Sequence, residues 1–193
     1  RTVKDRAAIL RRWFEALLEH KEELAQLMTA EQGKVISEAR TEIDYGASFV
    51  EWFGEEAKRI YGDHIPSHDS DKRMVVIKQA VGVVGAITPW NFPIAMITRK
   101  ISPALAAGCT VVVKPAELTP LCALAVMKLG HEAGIPEDAF ITVTSSDSSM
   151  VGKALCGSPV VRKLSFTGST AVGKILAEQS AHTVKKLSME LGG

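Results

Sequence analysis

The chain has 193 residues, 46% of them hydrophobic and 23% charged, which is ordinary globular usage with length for one substantial core. Lys and Arg number 23 against 22 Asp and Glu, a formal net charge of +1, so no global field recruits nucleic acid or an anionic membrane and a small-molecule partner is expected. No segment reaches the roughly 20 uninterrupted apolar residues of a spanning helix, and the amino terminus lacks the basic, apolar, small-residue order of a signal peptide.

Residues 4–30 place Leu10, Trp13, Phe14, Leu17, Leu24, Leu27 and Met28 at helical spacing, with charged residues on the other face, and predict one amphipathic helix. Thr2 followed by Asp5 forms a capping pattern, and Gly33 supplies a stop. A second helix is expected from about Ser37, because Ile36, Ala39, Ile43, Ala47, Val50, Phe53, Ala57 and Ile60 keep the spacing until Gly62 and Pro66. Neither helix demands catalysis. Residues 64–72 are polar and predict a loop into a strand at 74–77. His64 and His68 lack a third ligand at a sensible spacing and read as solvated, with no metal site expected. Cys109, Cys122 and Cys156 form no CxxC or Cys/His pattern, so buried free thiols are expected, compatible with a reducing compartment.

From Val81 short apolar runs alternate with helical patterns. Strands are predicted at 83–88, 110–114, 140–144, 161–166 and 184–189, and helices at 94–107, 119–133, 148–156 and 170–180. Such alternation implies right-handed crossovers and a parallel sheet covered on both faces. The expected fold is α/β, a doubly wound, Rossmann-like sheet preceded by two long helices. Its expected parts are a helical segment at 1–72, a linking strand at 73–80 and the nucleotide-binding unit at 81–193.

Four predicted strand ends carry polar chemistry, and in such sheets ligands bind at that edge. After the first strand, Pro89 and Pro93 bracket a turn that presents Asn91, whose carboxamide can donate to a developing oxyanion. An Asn that simply tolerates an awkward turn is the alternative. Trp90 can cover a flat ligand or cap the core. At the second end, Lys114 and Glu117, with Ala116 between them, can grip a ribose diol, one donating and one accepting. Glu117 would repel a 2′-phosphate and so favour NAD over NADP; a surface Lys and Glu in a turn fits the spacing as well. At the third, Gly168, Ser169 and Val172 open a helix whose free amides suit a phosphate, although an ordinary cap has the same appearance. This is neither GxGxxG nor a Walker loop. At the fourth, Glu190 precedes Leu191, Gly192 and Gly193, where a carboxylate can act as general base on water or stand as a solvated charge.

These four ends, together with the strings EWFGEEAKRIYGD, ITPWNFPIAMITRKISPALAAGCTVVVKPAE and VRKLSFTGSTAVGK followed by KKLSMELGG, resemble the aldehyde dehydrogenase superfamily over essentially the whole chain. Within it the resemblance is to succinate-semialdehyde dehydrogenases. The resemblance implies that Asn91 stabilises the oxyanion and that Lys114, Ala116 and Glu117 hold the adenosine ribose. Ile87, Thr88, Pro89 and Trp90 would line the cofactor groove, and Gly168, Ser169 and Val172 would flank the pyrophosphate and adenine. Glu190 would activate the water that hydrolyses a thioester, and Leu191 would meet the nicotinamide end. Phe92, Met96 and Arg99 match positions facing the substrate, where a guanidinium suits the distal carboxylate of succinic semialdehyde.

The implied cofactor is NAD, with NADP possible, and the implied partner is a small-molecule aldehyde. A homo-oligomer, dimer or tetramer, is expected in the cytoplasm, or in the mitochondrial matrix if the source is an animal. The implied reaction starts with a cysteine thiolate on the aldehyde. The family's nucleophile lies beyond the ELGG motif, and Cys109, Cys122 and Cys156 match none of its context. The chain is therefore expected to be a cofactor-binding portion, without the family's amino-terminal strands, nucleophile domain or carboxyl-terminal strand, and inactive alone. Thr144, Ser145 and Ser146 depart from the glycine common in relatives and would crowd the adenine side. An aldehyde dehydrogenase for an amino- or betaine-type aldehyde, and a non-catalytic nucleotide-binding or interaction module, are the alternatives.

Overall fold

The computed structural model describes residues 1–192. Helix α1 (Val3–Glu19) opens with a capping box, the Thr2 hydroxyl accepting from the Asp5 amide at 3.2 Å while the Asp5 carboxylate accepts from the Thr2 amide at 3.1 Å. Helices α2 (Lys21–Gln32) and α3 (Ile36–Glu56) follow, with a 3-10 turn at Ala57–Arg59. The single helix predicted over 4–30 is thus interrupted at His20, whose φ of −94° and ψ of 21° leave the helical range. His20 still donates to the Ala16 carbonyl at 3.0 Å and accepts from the Leu24 amide at 3.0 Å, so the interruption is a bend and not a loop. The polar run around it carries no Gly or Pro to announce a bend; packing of α1 on α3, α4 and α5 and of α2 on α3 and α5 imposes it. Gly33 ends α2 at φ 81°, a left-handed conformation that a side chain resists.

Strands β1 (Asp63–Ile65) and β2 (Met74–Val76) pair antiparallel. The loop expected over 64–72 is corrected here, because His64 and Ile65 belong to β1, a strand formed by pairing with residues 74–76 and invisible to local pattern. The remaining elements alternate as β3 (Val83–Ile87), α4 (Ala95–Ala106), β4 (Thr110–Lys114), α5 (Pro120–Glu132), β5 (Phe140–Thr142), α6 (Ser148–Gly157), β6 (Val161–Thr167), α7 (Thr170–Ala181) and β7 (Lys186–Glu190). All five of these strands are parallel, in the order β5-β4-β3-β6-β7, the doubly wound topology expected. Val184, predicted to start the last strand, instead sits in a turn at φ 49° and is 89% exposed. Its strand propensity is overridden because the chain must reverse after α7 before β7 can align with β6.

Strand period places the core. Val84, Ala86, Val111 and Val113 face one cluster with Trp13, Leu17, Ile43, Ile97, Ile101 and Phe140. Ile87 and Leu164 face the other, with Val151, Leu155 and Leu176 of α6 and α7, while Val83 and Val112 pack against it. Trp13 is fully buried, meets the Phe140 ring edge-on at 5.8 Å and donates its indole N–H to the Val126 carbonyl at 3.2 Å. The amino-terminal helices therefore share one apolar core with the sheet. A consequence is that α2 and α3 lie within reach of the sheet's carboxyl edge. Cys109, Cys122 and Cys156 are buried free thiols, as expected.

Candidate functional site at the carboxyl edge of the sheet

Parallel register aligns the strand ends: Ile87 lies opposite Lys114 and Phe166, and Thr167 opposite Glu190. The chain runs outward through β4 to β5 and returns to β6 beside β3, so a topological switch point lies between β3 and β6. A crevice at this point is where doubly wound sheets take their ligands. Asn91 and Ser169 follow the two strands that flank it.

Beyond β3 the Thr88 amide donates to the Lys114 carbonyl at 3.2 Å, extending the ladder by one bond before Pro89 ends it. Thr88 is buried, Pro89 half-buried, and Trp90, Asn91 and Phe92 are exposed before Pro93 dives into the core. Phe92 lies in the turn before helix α4, and the helix itself carries Met96 and Arg99. Met96 is buried against the protein, whereas Arg99 is exposed, its guanidinium carbon 6.0 Å from the centre of the Phe49 ring and its Nη2 4.0 Å from Glu190 Oε1. Lys100 beside it is half-buried and donates to Ser165 Oγ at 3.1 Å; its partial burial, with Arg99 adjacent, pushes its pKa down to about 8.

At the end of β4 Lys114 is 3% exposed, and its ammonium donates to Ser148 Oγ and lies 3.1 Å from Glu117 Oε1. Burial raises the Glu117 pKa, but hydrogen bonds from its own amide and from Lys114 outweigh this and hold it below the usual carboxylate range. Ala116 is buried beneath this pair and accepts from the Thr119 amide at 3.2 Å. A cationic donor and an anionic acceptor side by side match a vicinal diol, so this donor set fits a dinucleotide's ribose.

At the end of β6, Ser169 caps α7, its hydroxyl accepting from the Val172 amide at 3.4 Å. The Gly168 amide, expected to be free, donates instead to the Glu190 carbonyl at 3.1 Å, because β7 continues its pairing past the last residue of β6. What Gly168 provides is a close approach: a Cβ there would lie 2.5 Å from Phe166 Cζ, so a side chain would lift the loop off the sheet. That low cradle at a helix N-terminus fits a pyrophosphate. Val172 is exposed on the first turn of α7. Glu190 ends β7 with its side chain 64% exposed. Leu191 is partly buried against Gly173 of α7, and its carbonyl accepts from Thr170 Oγ1 at 3.1 Å. Gly193 lies outside the described residues. Ser145 Oγ folds back on the Asp147 amide at 3.0 Å, and the Asp147 carboxylate caps α6 through the Met150 amide at 3.0 Å.

Several groups at this edge come from α2, α3 and the short connection between them, where the sequence showed no sign of chemistry. Gln32 Nε2 donates to the Trp90 carbonyl at 2.7 Å and the Asn91 carbonyl at 3.0 Å, and Lys34 Nζ donates to the Asn91 carbonyl at 2.8 Å. Lys34 also pairs with Glu42 and sits 4.2 Å above the centre of the Phe92 ring. Glu42, 2% exposed, accepts through Oε1 from the Ile94 amide at 2.9 Å and the Ala95 amide at 3.2 Å. Glu31 reaches the start of α5, accepting from the Leu121 amide at 2.6 Å and the Cys122 amide at 3.0 Å. A sequence signal existed for Glu42 alone: it falls on the buried stripe of α3 between Ala39 and Gly46, where a charge must have partners. Among the described residues no cluster of His, Cys, Asp and Glu could hold a metal ion, and no helix is long and apolar enough to cross a membrane.

A doubly wound parallel sheet, here with the Lys114–Glu117 pair and a capped helix start at its carboxyl edge, is an architecture that takes ligands at that edge, dinucleotides among them. The whole chain, residues 1–193, matches the model of the aldehyde dehydrogenase family, and it belongs to that family. It is 60% identical over 192 residues to the succinate-semialdehyde dehydrogenase of Escherichia coli K12 whose name specifies NADP(+), covering 100% of this chain and 40% of that protein. It is 61% identical over 192 residues to a glutarate-semialdehyde dehydrogenase of Pseudomonas putida, again 100% of this chain and 40% of the relative. A Staphylococcus aureus betaine aldehyde dehydrogenase variant solved in complex with NAD+ superposes with a TM-score of 0.97 at 35% identity, covering 100% of this chain and 38% of that one. The chain thus spans about two fifths of the length of the curated relatives it matches.

Proposed function

We propose that these residues are the cofactor-binding portion of an NAD(P)-dependent aldehyde dehydrogenase that oxidises succinic semialdehyde to succinate. The observation that carries the reading is the meeting of Arg99 and Glu190 at the carboxyl edge, Nη2 to Oε1 at 4.0 Å, with Asn91 on the loop that leads into α4. Glu190 is a carboxylate free enough of the protein to accept a proton from water, and Arg99 is an exposed cation at the same mouth. An aldehyde with a short anionic tail can place its tail on the guanidinium while its carbonyl oxygen meets the Asn91 carboxamide. The succinate- and glutarate-semialdehyde relatives carry such a carboxylate in the substrates their names give, which supports an anionic substrate here.

A bound dinucleotide supplies the hydride acceptor. The chain's own part is to hold the ribose on Lys114 and Glu117, the pyrophosphate on the α7 start with Gly168, Ser169 and Val172, and the carbonyl oxygen on Asn91. Ile87, Thr88, Pro89 and Trp90 line the groove and Leu191 closes its inner end. Glu190 then takes a proton from the water that releases the acid. The attacking sulfur comes from outside these residues, in this reading. Burial, followed by the adjacent Glu31 carboxylate, pushes the Cys122 thiol far above the ordinary range, and Cys109 and Cys156 are also buried.

The test is substrate selectivity in the intact protein that carries this segment. Arg99→Ala is expected to raise KM for succinic semialdehyde by about a hundredfold, near 2.7 kcal/mol, and to change KM for a neutral aldehyde little. Equal effects on both would remove the carboxylate assignment. Faster turnover of a cationic aldehyde than of the anionic one would favour the betaine-type reading instead.

A further inference from the structure

Asn91 is the residue on which the proposed chemistry turns, yet it sits on an exposed loop between two prolines. An oxyanion donor helps only if it is already in position, and about 1 Å of misplacement can remove two orders of magnitude of rate. The two peptide units flanking its Cα are both held from behind. The carbonyl before Asn91, that of Trp90, accepts from Gln32 at 2.7 Å; the carbonyl after it, its own, accepts from Gln32 at 3.0 Å and Lys34 at 2.8 Å. With both peptide planes anchored, the Cα–Cβ direction is set and only the two side-chain torsions remain.

The anchors are themselves fixed. Lys34 is 11% exposed and Glu42 1% exposed in their side chains, and they pair with each other. Glu42 also grips the first amides of α4 at Ile94 and Ala95, so one carboxylate ties the loop's far end and its clamp to the same point on α3. Gly33, at φ 81°, turns the chain between Gln32 and Lys34 so that both side chains reach one loop. Fold stability alone does not call for this arrangement, since a buried ion pair commonly stabilises no better than packed apolar residues.

We infer that Gln32, Lys34 and Glu42 are positioning residues that preset the Asn91 carboxamide for catalysis. The inference rests on the proposed role of Asn91 and adds that the donor's geometry is controlled from α2 and α3. Lys34 and Glu42 form the base, and Gln32, at the end of α2, spans the two carbonyls.

A double-mutant cycle in the intact native protein separates this role from a structural one. Asn91→Ala should lower kcat by about a hundredfold or more. Gln32→Leu should lower kcat by about tenfold with KM for the dinucleotide unchanged, and should have no further effect on the Asn91→Ala background. Lys34→Met should behave in the same way with a larger loss, and if it does not fold, Gln32→Leu still carries the test. A Gln32→Leu loss of equal size with and without Asn91, or wild-type kcat in Gln32→Leu, overturns the inference while leaving the role of Asn91 intact. Wild-type kcat in Asn91→Ala removes the oxyanion role itself, and the inference with it.

Discussion

Glu117 shows how much a single side chain can decide. Its carboxylate lies 3.1 Å from the Lys114 ammonium and its pKa is held below the ordinary range, so it is an anion throughout neutral pH. An anion that accepts a ribose hydroxyl opposes a 2′-phosphate in the same place. We expect Glu117→Gln to shift the ratio of kcat/KM for NAD to that for NADP about tenfold toward NADP, or about 1.4 kcal/mol. An unchanged ratio would place the selectivity elsewhere. The relative whose name specifies NADP(+) makes this comparison informative. The Lys114–Glu117 pair was legible in the sequence because Lys114 ends a strand and Glu117 lies in the turn directly after it. Ser148, the hydroxyl that shares the ammonium, was not, because it arrives from the far side of β5.

At the scale of elements, α4 lies across the sheet and carries Lys100 down onto Ser165 of β6. Burial lowers the Lys100 pKa from 10.5 to about 8, so the unfolded chain holds this proton more tightly than the folded one. Stability should therefore rise as pH climbs from about 8 to about 10.5, and Lys100→Met should abolish that rise while increasing stability near neutrality. Burial lowers Lys185 as well and acts in the same sense, whereas the raised Cys122 thiol acts in the opposite one. The informative measurement is thus the difference between wild type and variant in denaturant unfolding across that window. A flat difference would show that Lys100 keeps its charge when folded. Most elements followed from apolar spacing, but the bend at His20 and the pairing of β1 with β2 did not. Each depends on a contact partner distant along the chain, and local periodicity holds no record of it.

For the molecule as a whole, the chain spans 40% of the length of its Escherichia coli relative. Residues 1–193 alone are expected to produce no NADH from NAD and succinic semialdehyde above blank. Production abolished by Glu190→Gln would instead require a thiol among Cys109, Cys122 and Cys156 to act, against their burial. The sequence by itself determined the α/β class, the alternation of strands and helices and the strand-end positions of Asn91, Lys114, Ser169 and Glu190, because these follow from short-range patterns of apolar and turn-forming residues. Only the tertiary structure decided that Gly168 gives its amide to Glu190 and that Glu42 and Lys34 lie behind Asn91. Packing α2 and α3 against the sheet brings residues some fifty positions apart into hydrogen-bonding distance, and no local spacing encodes that approach.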